Sequence, residues 1–257
     1  MRKVGSTLLA VALVLGMALV FSAGPAAAAT CSQVTTLKGQ MTASVIATSD
    51  QVVTGDIDAT GCDIGVFVGS GVSGVTVNAT VHDANQYGVF NQGNVTVDQS
   101  EISNIGNHSG GVFAPNGGQT GLGVYFAFGS NASGAVTNSV IRAYQKGGVA
   151  VNGSGASATV TGNTIVGLSD VPFIAQNGIQ FGYGASGVIH DNTIDGNWYT
   201  GADWSATGLL LFDVNASGVK TSQNHFMNNQ VNLTMVEDNA CSSMYGGFYE
   251  NYGLCVF

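Results

Sequence analysis

The sequence predicts an all-β chain in which short parallel strands stack into a solenoid, and three observations carry that expectation. First, Thr159-Val-Thr-Gly-Asn-Thr-Ile165 recurs as Val188-Ile-His-Asp-Asn-Thr-Ile194 and, loosened, as Lys220-Thr-Ser-Gln-Asn-His-Phe226, so that Asn163, Asn192 and Asn224 stand 29 and 32 residues apart. Second, each copy follows a shorter apolar piece, Val149-Ala-Val151, Ile179-Gln-Phe181 and Leu209-Leu-Leu211, at steps of 30 residues. Third, the apolar alternation has the strand period of two, and no segment carries apolar residues at i, i+3, i+4 and i+7 over three turns. A unit of two short strands and a glycine turn cannot bury its own apolar face. It must stack on copies of itself.

Taken in order, Met1-Arg2-Lys3, the apolar run Leu8 to Phe21 and the exit Ala27-Ala28-Ala29 read as a secretory signal over residues 1–29. The run is shorter than the roughly 18 apolar residues that span a bilayer. Residues 30–257 are then one repeat domain with capping ends, secreted or held at the cell surface. Residues 31–60 are polar and read as an irregular first strand pair. Regular repeats begin with Val66-Phe-Val68 and Val75-Thr-Val77, continue with Val89-Phe90 and Val95-Thr-Val97, and are interrupted by a glycine-rich excursion from Asn104 to Gly121. They resume at Val124-Tyr-Phe126 and run to Val231-Asn-Leu-Thr-Met235, after which the pattern breaks. Laid together, Val81, Ile102, Ile141, Ile165, Ile194 and Phe226 form one column. Ala79, Ser100, Ser139, Asn163, Asn192 and Asn224 form another two residues earlier, at a bend where side-chain amides bond one repeat to the next.

Without the signal, Lys38, Arg142, Lys146 and Lys220 are the only strong bases against 15 carboxylates. So acidic a chain is a poor partner for nucleic acid or an anionic membrane. Its 38 glycines and three prolines suit many short strands joined by tight turns. Cys31, Cys62, Cys241 and Cys255 allow three pairings. Their placement favours Cys31 with Cys62 and Cys241 with Cys255, one staple at each end of the stack, and no pair has the short spacing usual for zinc.

The recurring Val-x-x-Asn-x-Ile and Gly-Val-x-Val segments, over roughly Asp56 to Met235, resemble the right-handed parallel β-helix repeat family of the pectate lyase-like superfamily. That resemblance implies a single-stranded right-handed parallel β-helix. It also implies work on the outer face of the helix, upon an extracellular polysaccharide, either by a lyase using calcium and a basic residue or by a hydrolase using paired carboxylates.

Suitable groups are densest across two consecutive repeats: His190, Asp191 and Asp195, the loop Asn197-Trp-Tyr-Thr-Gly-Ala-Asp-Trp204, then Asp213, Lys220 and His225. On the carbohydrate reading Trp198, Tyr199 and Trp204 are platforms for sugar rings. Asp195 and Asp213 are the acid and base pair, Lys220 or His190 takes the proton, and Asp191 and Asp203 hold calcium. The plainer reading folds the tryptophans over the open side of the sheet and makes Asp191 a turn former. Phe67, Phe90 and Tyr125 recur at the outward middle of the first strand. They form either a glycan-binding face that includes Tyr125 or a surface packed beneath the excursion through Val112 and Phe113. Arg142 is expected to pair with a nearby carboxylate. Two functions stay open: a polysaccharide lyase or hydrolase, and a non-catalytic adhesion or glycan-binding protein.

Overall fold

In the computed structural model, residues 30–215 and 217–236 are described. The expected signal and the Cys241–Cys255 pair lie outside them. The chain opens with β1 (Ser32–Thr36), β2 (Gly39–Ala47) and β3 (Val52–Asp58), then β4 (Ile64–Val68) and β5 (Val75–His82). Next come β6 (Tyr87–Asn91), β7 (Asn94–Asp98) and β8 (Glu101–Ile105), and the small hairpin β9 (His108–Ser109) and β10 (Val112–Phe113) inside the excursion. Three complete repeats follow as β11 (Leu122–Phe126), β12 (Ser133–Thr137) and β13 (Val140–Tyr144); β14 (Gly147–Asn152), β15 (Ser157–Thr161) and β16 (Thr164–Val171); and β17 (Asn177–Gly182), β18 (Ser186–His190) and β19 (Thr193–Tyr199). The chain continues through β20 (Thr207–Phe212), β21 (Val219–Ser222), β22 (His225–Met227) and β23 (Val231–Val236).

The first strand of each repeat joins a nine-stranded sheet in the order β1-β2-β4-β6-β11-β14-β17-β20-β23. The other two join a twelve-stranded sheet whose two limbs meet at β5, since β5 pairs with both β7 and β8. The near limb carries β7, β12, β15, β18 and β21; the far limb carries β8, β13, β16, β19 and β22. Successive repeats pair in parallel. The antiparallel pairs β1–β2 and β9–β10 make the architecture mixed.

The expected columns are present in the register. Ile57 pairs with Val81, Val81 with Ile102, and the file continues through Ile141, Ile165 and Ile194 to Phe226. From Val81 to Ile194 these side chains are fully buried. Two residues earlier runs a continuous polar ladder. The Ala79 N–H donates to Ser100 Oγ, Ser100 N–H to Ser139 Oγ, and Ser139 N–H to Asn163 Oδ1. Asn163 N–H then donates to Asn192 Oδ1, and Asn192 N–H to Asn224 Oδ1, each at 3.1 Å. The Asn192 amide also donates to the Val160 carbonyl at 2.9 Å, so the bend leaves no buried amide unpaired there.

Opposite the isoleucine file stands a file of glycines, and their nearness explains the Gly-Val-x-Val recurrence. A Cβ on Gly123, Gly148 or Gly178 would lie 2.4–2.5 Å from Cγ2 of Ile141, Ile165 or Ile194 and 2.6 Å from the carbonyl of the next glycine in the file. A side chain has no room at these positions, so the nine-stranded sheet closes directly on the far limb.

The outward aromatics lie elsewhere than under the excursion. Phe67, Phe90 and Tyr125 share one register file and are buried with Val34 and Met41, the facing pair of the β1–β2 hairpin. The amino-terminal hairpin therefore folds over this face, and Lys38 at its tip lies 5.5 Å above the Tyr125 ring. The excursion is tied at its neck by Gln145 instead. The Oε1 of Gln145 accepts from the N–H groups of Asn107 and Asn116, and its Nε2 donates to the Gly118 carbonyl. Cys31 and Cys62 are bonded, fastening the hairpin to the first repeats.

Candidate functional site

Where the amino-terminal hairpin ends, the outer face of the nine-stranded sheet opens into a groove of about 610 Å³. Its floor continues the column that begins with Phe67: Tyr125 pairs with Ala150, Ala150 with Gln180, and Gln180 with Leu210. The excursion forms one wall through Gly117 and Gln119, and Phe173 to Ala175, Tyr199 and Trp204 form another. Tyr183 and Phe212 close the side nearest the turns.

Polar groups on the floor are held before any ligand arrives. Gln180 Nε2 donates to Asn152 Oδ1 at 3.0 Å, while Gln180 Oε1 accepts from Asn177 Nδ2 at 3.2 Å. Lys146 Nζ donates to the Ala175 carbonyl at 2.8 Å. The aromatic rim is fixed by its own packing. Tyr183 meets Phe212 and Phe128 edge-on, with ring centroids 5.1 and 5.5 Å away, and Trp204 packs against Tyr199, Ala175 and Ala206. Gly201 lies so close to the Tyr199 ring that a Cβ there would come within 2.1 Å of it, which lets the loop after β19 fold flat and bring Trp204 to the rim.

The sequence candidates are distributed around the repeat. Tyr199 and Trp204 line the groove, whereas Trp198, the intervening outward position on β19, is 38% exposed and is not part of the lining. Tyr125 is buried beneath the hairpin, and burial, partly offset by the Phe128 N–H, raises its phenol above the ordinary range. His190 ends β18, stacked between Thr161 and Ser222 as expected, and its ring is engaged by Thr161 Oγ1 and Asp191. Asp195 sits on β19 past the asparagine bend and accepts from Asn228. Lys220 lies on β21 in the near limb, over Val188, and Asp213 follows β20 with φ 51°. His190, Asp195, Asp213 and Lys220 thus occupy separate strand files, and none lines the groove. Arg142 pairs with Glu101.

Calcium requires six to eight converging oxygens. Asp191 lies before β19 and Asp203 after it. Neither belongs to the one group of three imidazole or carboxylate ligands that converge within 4.8 Å among the described residues.

Phe173, Tyr183 and Phe212 complete the aromatic part of the groove without a motif in the sequence. Gln180 is legible there as an outward member of the first-strand column, and Lys146 only as one of the few strong bases. A second depression of about 630 Å³ runs along Asp56, Asn78, Gln99, Glu101 and Asn138. It has no aromatic wall and is the solvent side of the bend.

The stacked parallel strands and their buried files agree with comparison to known families, where the description "right handed beta helix region" matches residues 91–251, more than half of the chain. The chain belongs to the right-handed β-helix family. No curated protein and no solved structure matches it. For this β-helix protein, the matched span takes in the excursion, the bends at Asn163, Asn192 and Asn224 and every residue that lines the groove, while the amino-terminal hairpin lies before it.

Proposed function

We propose that this protein is an exported glycan-binding β-helix, wound as one single-stranded right-handed solenoid, that takes a segment of extracellular polysaccharide into the groove. The observation that carries the reading is the pairing of a packed aromatic rim, Trp204, Tyr199, Tyr183 and Phe212, with a pre-bonded amide floor, Asn177 and Gln180, the latter held by Asn152. Aromatic faces cover the apolar faces of sugar rings at little entropic cost, and fixed amides exchange hydrogen bonds with hydroxyl groups. Export is supported by the signal-like amino terminus and by the Cys31–Cys62 bond.

Binding is favoured over catalysis because acid–base chemistry needs groups within reach of one bond. Among the described residues that line the groove there is no carboxylate. The lyase or hydrolase reading would instead recruit Asp195, Asp213, Lys220 and His190 from their separate files. The test is titration of the mature chain against a panel of neutral and uronate polysaccharides, followed by the same titration of Trp204→Ala and Tyr183→Ala. The expected result is saturable binding that weakens about tenfold or more in each variant. Wild-type affinity in both variants, or no binding to any glycan, would overturn the proposal. New unsaturated or reducing ends that vanish in Asp195→Ala would restore the catalytic reading.

A further inference from the structure

A second cluster of ionisable groups lies at the other end of the molecule, where the far limb turns toward the excursion. Asp58 ends β3, His82 ends β5 as its register partner, Asp83 follows with φ 61°, and His108 opens β9. One ligand atom from each of Asp58, His82 and Asp83 falls within a group whose members all lie within 4.8 Å of one another.

The hydrogen-bond accounting around the two imidazoles does not close without an added positive charge. His108 Nδ1 lies 2.8 Å from the Gly106 carbonyl, which can only accept, so its proton belongs on Nδ1. Its Nε2 then turns a lone pair toward Asp83 Oδ1 at 3.3 Å. His82 stands between two carboxylates, with Nδ1 2.6 Å from Asp83 Oδ2 and Nε2 3.1 Å from Asp56 Oδ1. A neutral ring has one proton for these two acceptors. Each ring therefore sets a nitrogen lone pair against a carboxylate unless a proton or a metal ion lies between. Among the described residues the strong bases lie elsewhere: Arg142 pairs with Glu101, Lys38 sits over Tyr125, Lys146 donates to the Ala175 carbonyl, and Lys220 lies on β21.

We propose that Asp58, His82 and Asp83 form a site for a divalent transition-metal ion of the zinc type, its remaining position taken by water, with His108 beside the group through its contact to Asp83 Oδ1. Mixed imidazole and carboxylate donors suit zinc, whereas calcium takes oxygen ligands alone. Supporting groups are present. The Thr60 N–H and hydroxyl hold Asp58 by Oδ1, which leaves Oδ2 to coordinate. Asp56 accepts the Nε2 proton of His82 when Nδ1 binds metal, an outer carboxylate of the kind that orients metal-bound histidines. Entry of the ion has to open the 2.6 Å His82–Asp83 contact to about 3.3 Å, the edge of a tetrahedron with bonds of about 2.0 Å. The ion bears on the start of the excursion through the Asp83–His108 contact.

The test uses the full mature chain, stripped with chelator and titrated calorimetrically with zinc alone, with bound metal counted after dialysis. One zinc per chain is expected, unaffected by excess calcium or magnesium, with Tm raised by about 5–10 °C at a hundredfold excess over Kd. His82→Gln and Asp58→Asn should each weaken binding by at least about tenfold, and His225→Gln should leave it unchanged. In the wild type, ring ¹⁵N shifts of His82 and His108 should move on zinc addition, a readout that does not depend on any variant folding. Substoichiometric zinc, undiminished binding in the variants, or two imidazolium rings that zinc does not perturb would overturn the site.

Discussion

Gly148 offers the sharpest test of how the two sheets meet. An alanine there places Cβ 2.5 Å from Ile165 Cγ2, 2.6 Å from the Gly178 carbonyl oxygen and 3.1 Å from Tyr144 Cε1. The first neighbour is a fully buried side chain and the second is backbone in the next parallel strand, so neither can swing aside. Gly148 is not among the positive-φ glycines. At such a site Gly→Ala alone would stabilise by about 0.4–1 kcal/mol through the unfolded chain. Overpacking costs about 1–3 kcal/mol and rises when backbone must move. With overpacking taken at about 3–4 kcal/mol because backbone must move, the net expectation is a loss of about 2–3 kcal/mol. Urea denaturation followed by circular dichroism should show the midpoint falling by about 1 M, taking m near 2–3 kcal/mol/M. Gly69→Ala, where the new methyl meets neighbours only at ordinary contact distances of 3.5 Å or more, is the control and should shift little. In an Ile165→Ala background Gly148→Ala should cost at least about 1 kcal/mol less, because the opposing methyl is gone. A wild-type midpoint in Gly148→Ala, or no coupling to Ile165, would refute the close packing.

Other consequences follow from the same coordinates. Asn192→Ala removes the acceptor for Asn163 N–H and Nδ2 and the donor to Val160, and should cost about 2–4 kcal/mol in urea unfolding, against about 1 kcal/mol for the less buried Asn224→Ala. Replacing Cys31 and Cys62 by serine opens a loop with a sequence separation of 31 and should lower stability by about 3–4 kcal/mol, read as a midpoint shift against the oxidised chain. The Thr137 hydroxyl, and after it the Asn138 amide, hold the Asp98 carboxyl below its ordinary 3.8. A depressed carboxyl stabilises the fold above the unfolded value and loses that contribution as pH falls through the folded value. Carboxyl ¹³C titration should therefore place Asp98 below 3.8 in the wild type and return it upward in Thr137→Val.

The parts of this architecture that repeat in register were legible from the letters. Val81 to Phe226 could be aligned because a buried file tolerates only apolar residues, and Asn163, Asn192 and Asn224 because three successive bends use the same amide where Ser100 and Ser139 supply hydroxyls earlier in the ladder. A second ladder went unread: Asn197 accepts from the buried Tyr144 hydroxyl and donates to Asn229 Oδ1 at 2.8 Å. It has only two amide members, so no period announced it. The glycine file was visible as a recurrence, but its meaning lies in a contact between two strands remote in sequence. The cover over Phe67, Phe90 and Tyr125 is neither of the two alternatives the sequence offers, a glycan or the excursion, since an antiparallel fold-back of β1 leaves no trace in a parallel repeat. The groove was half legible for the same reason. Tyr199 and Trp204 stand out as aromatics five residues apart, while Phe173 and Tyr183 come from connections of varying length and Phe212 from the end of β20, and the three meet only in space.

A crystal structure of the mature chain bears most directly on the winding itself. It should show Ile57, Val81, Ile102, Ile141, Ile165, Ile194 and Phe226 in one file at steps of about 4.8 Å, with Asn163, Asn192 and Asn224 bonded in sequence beside it. Antiparallel pairing of residues 157–161 with 186–190, or a file whose members scatter across two layers, would contradict the account.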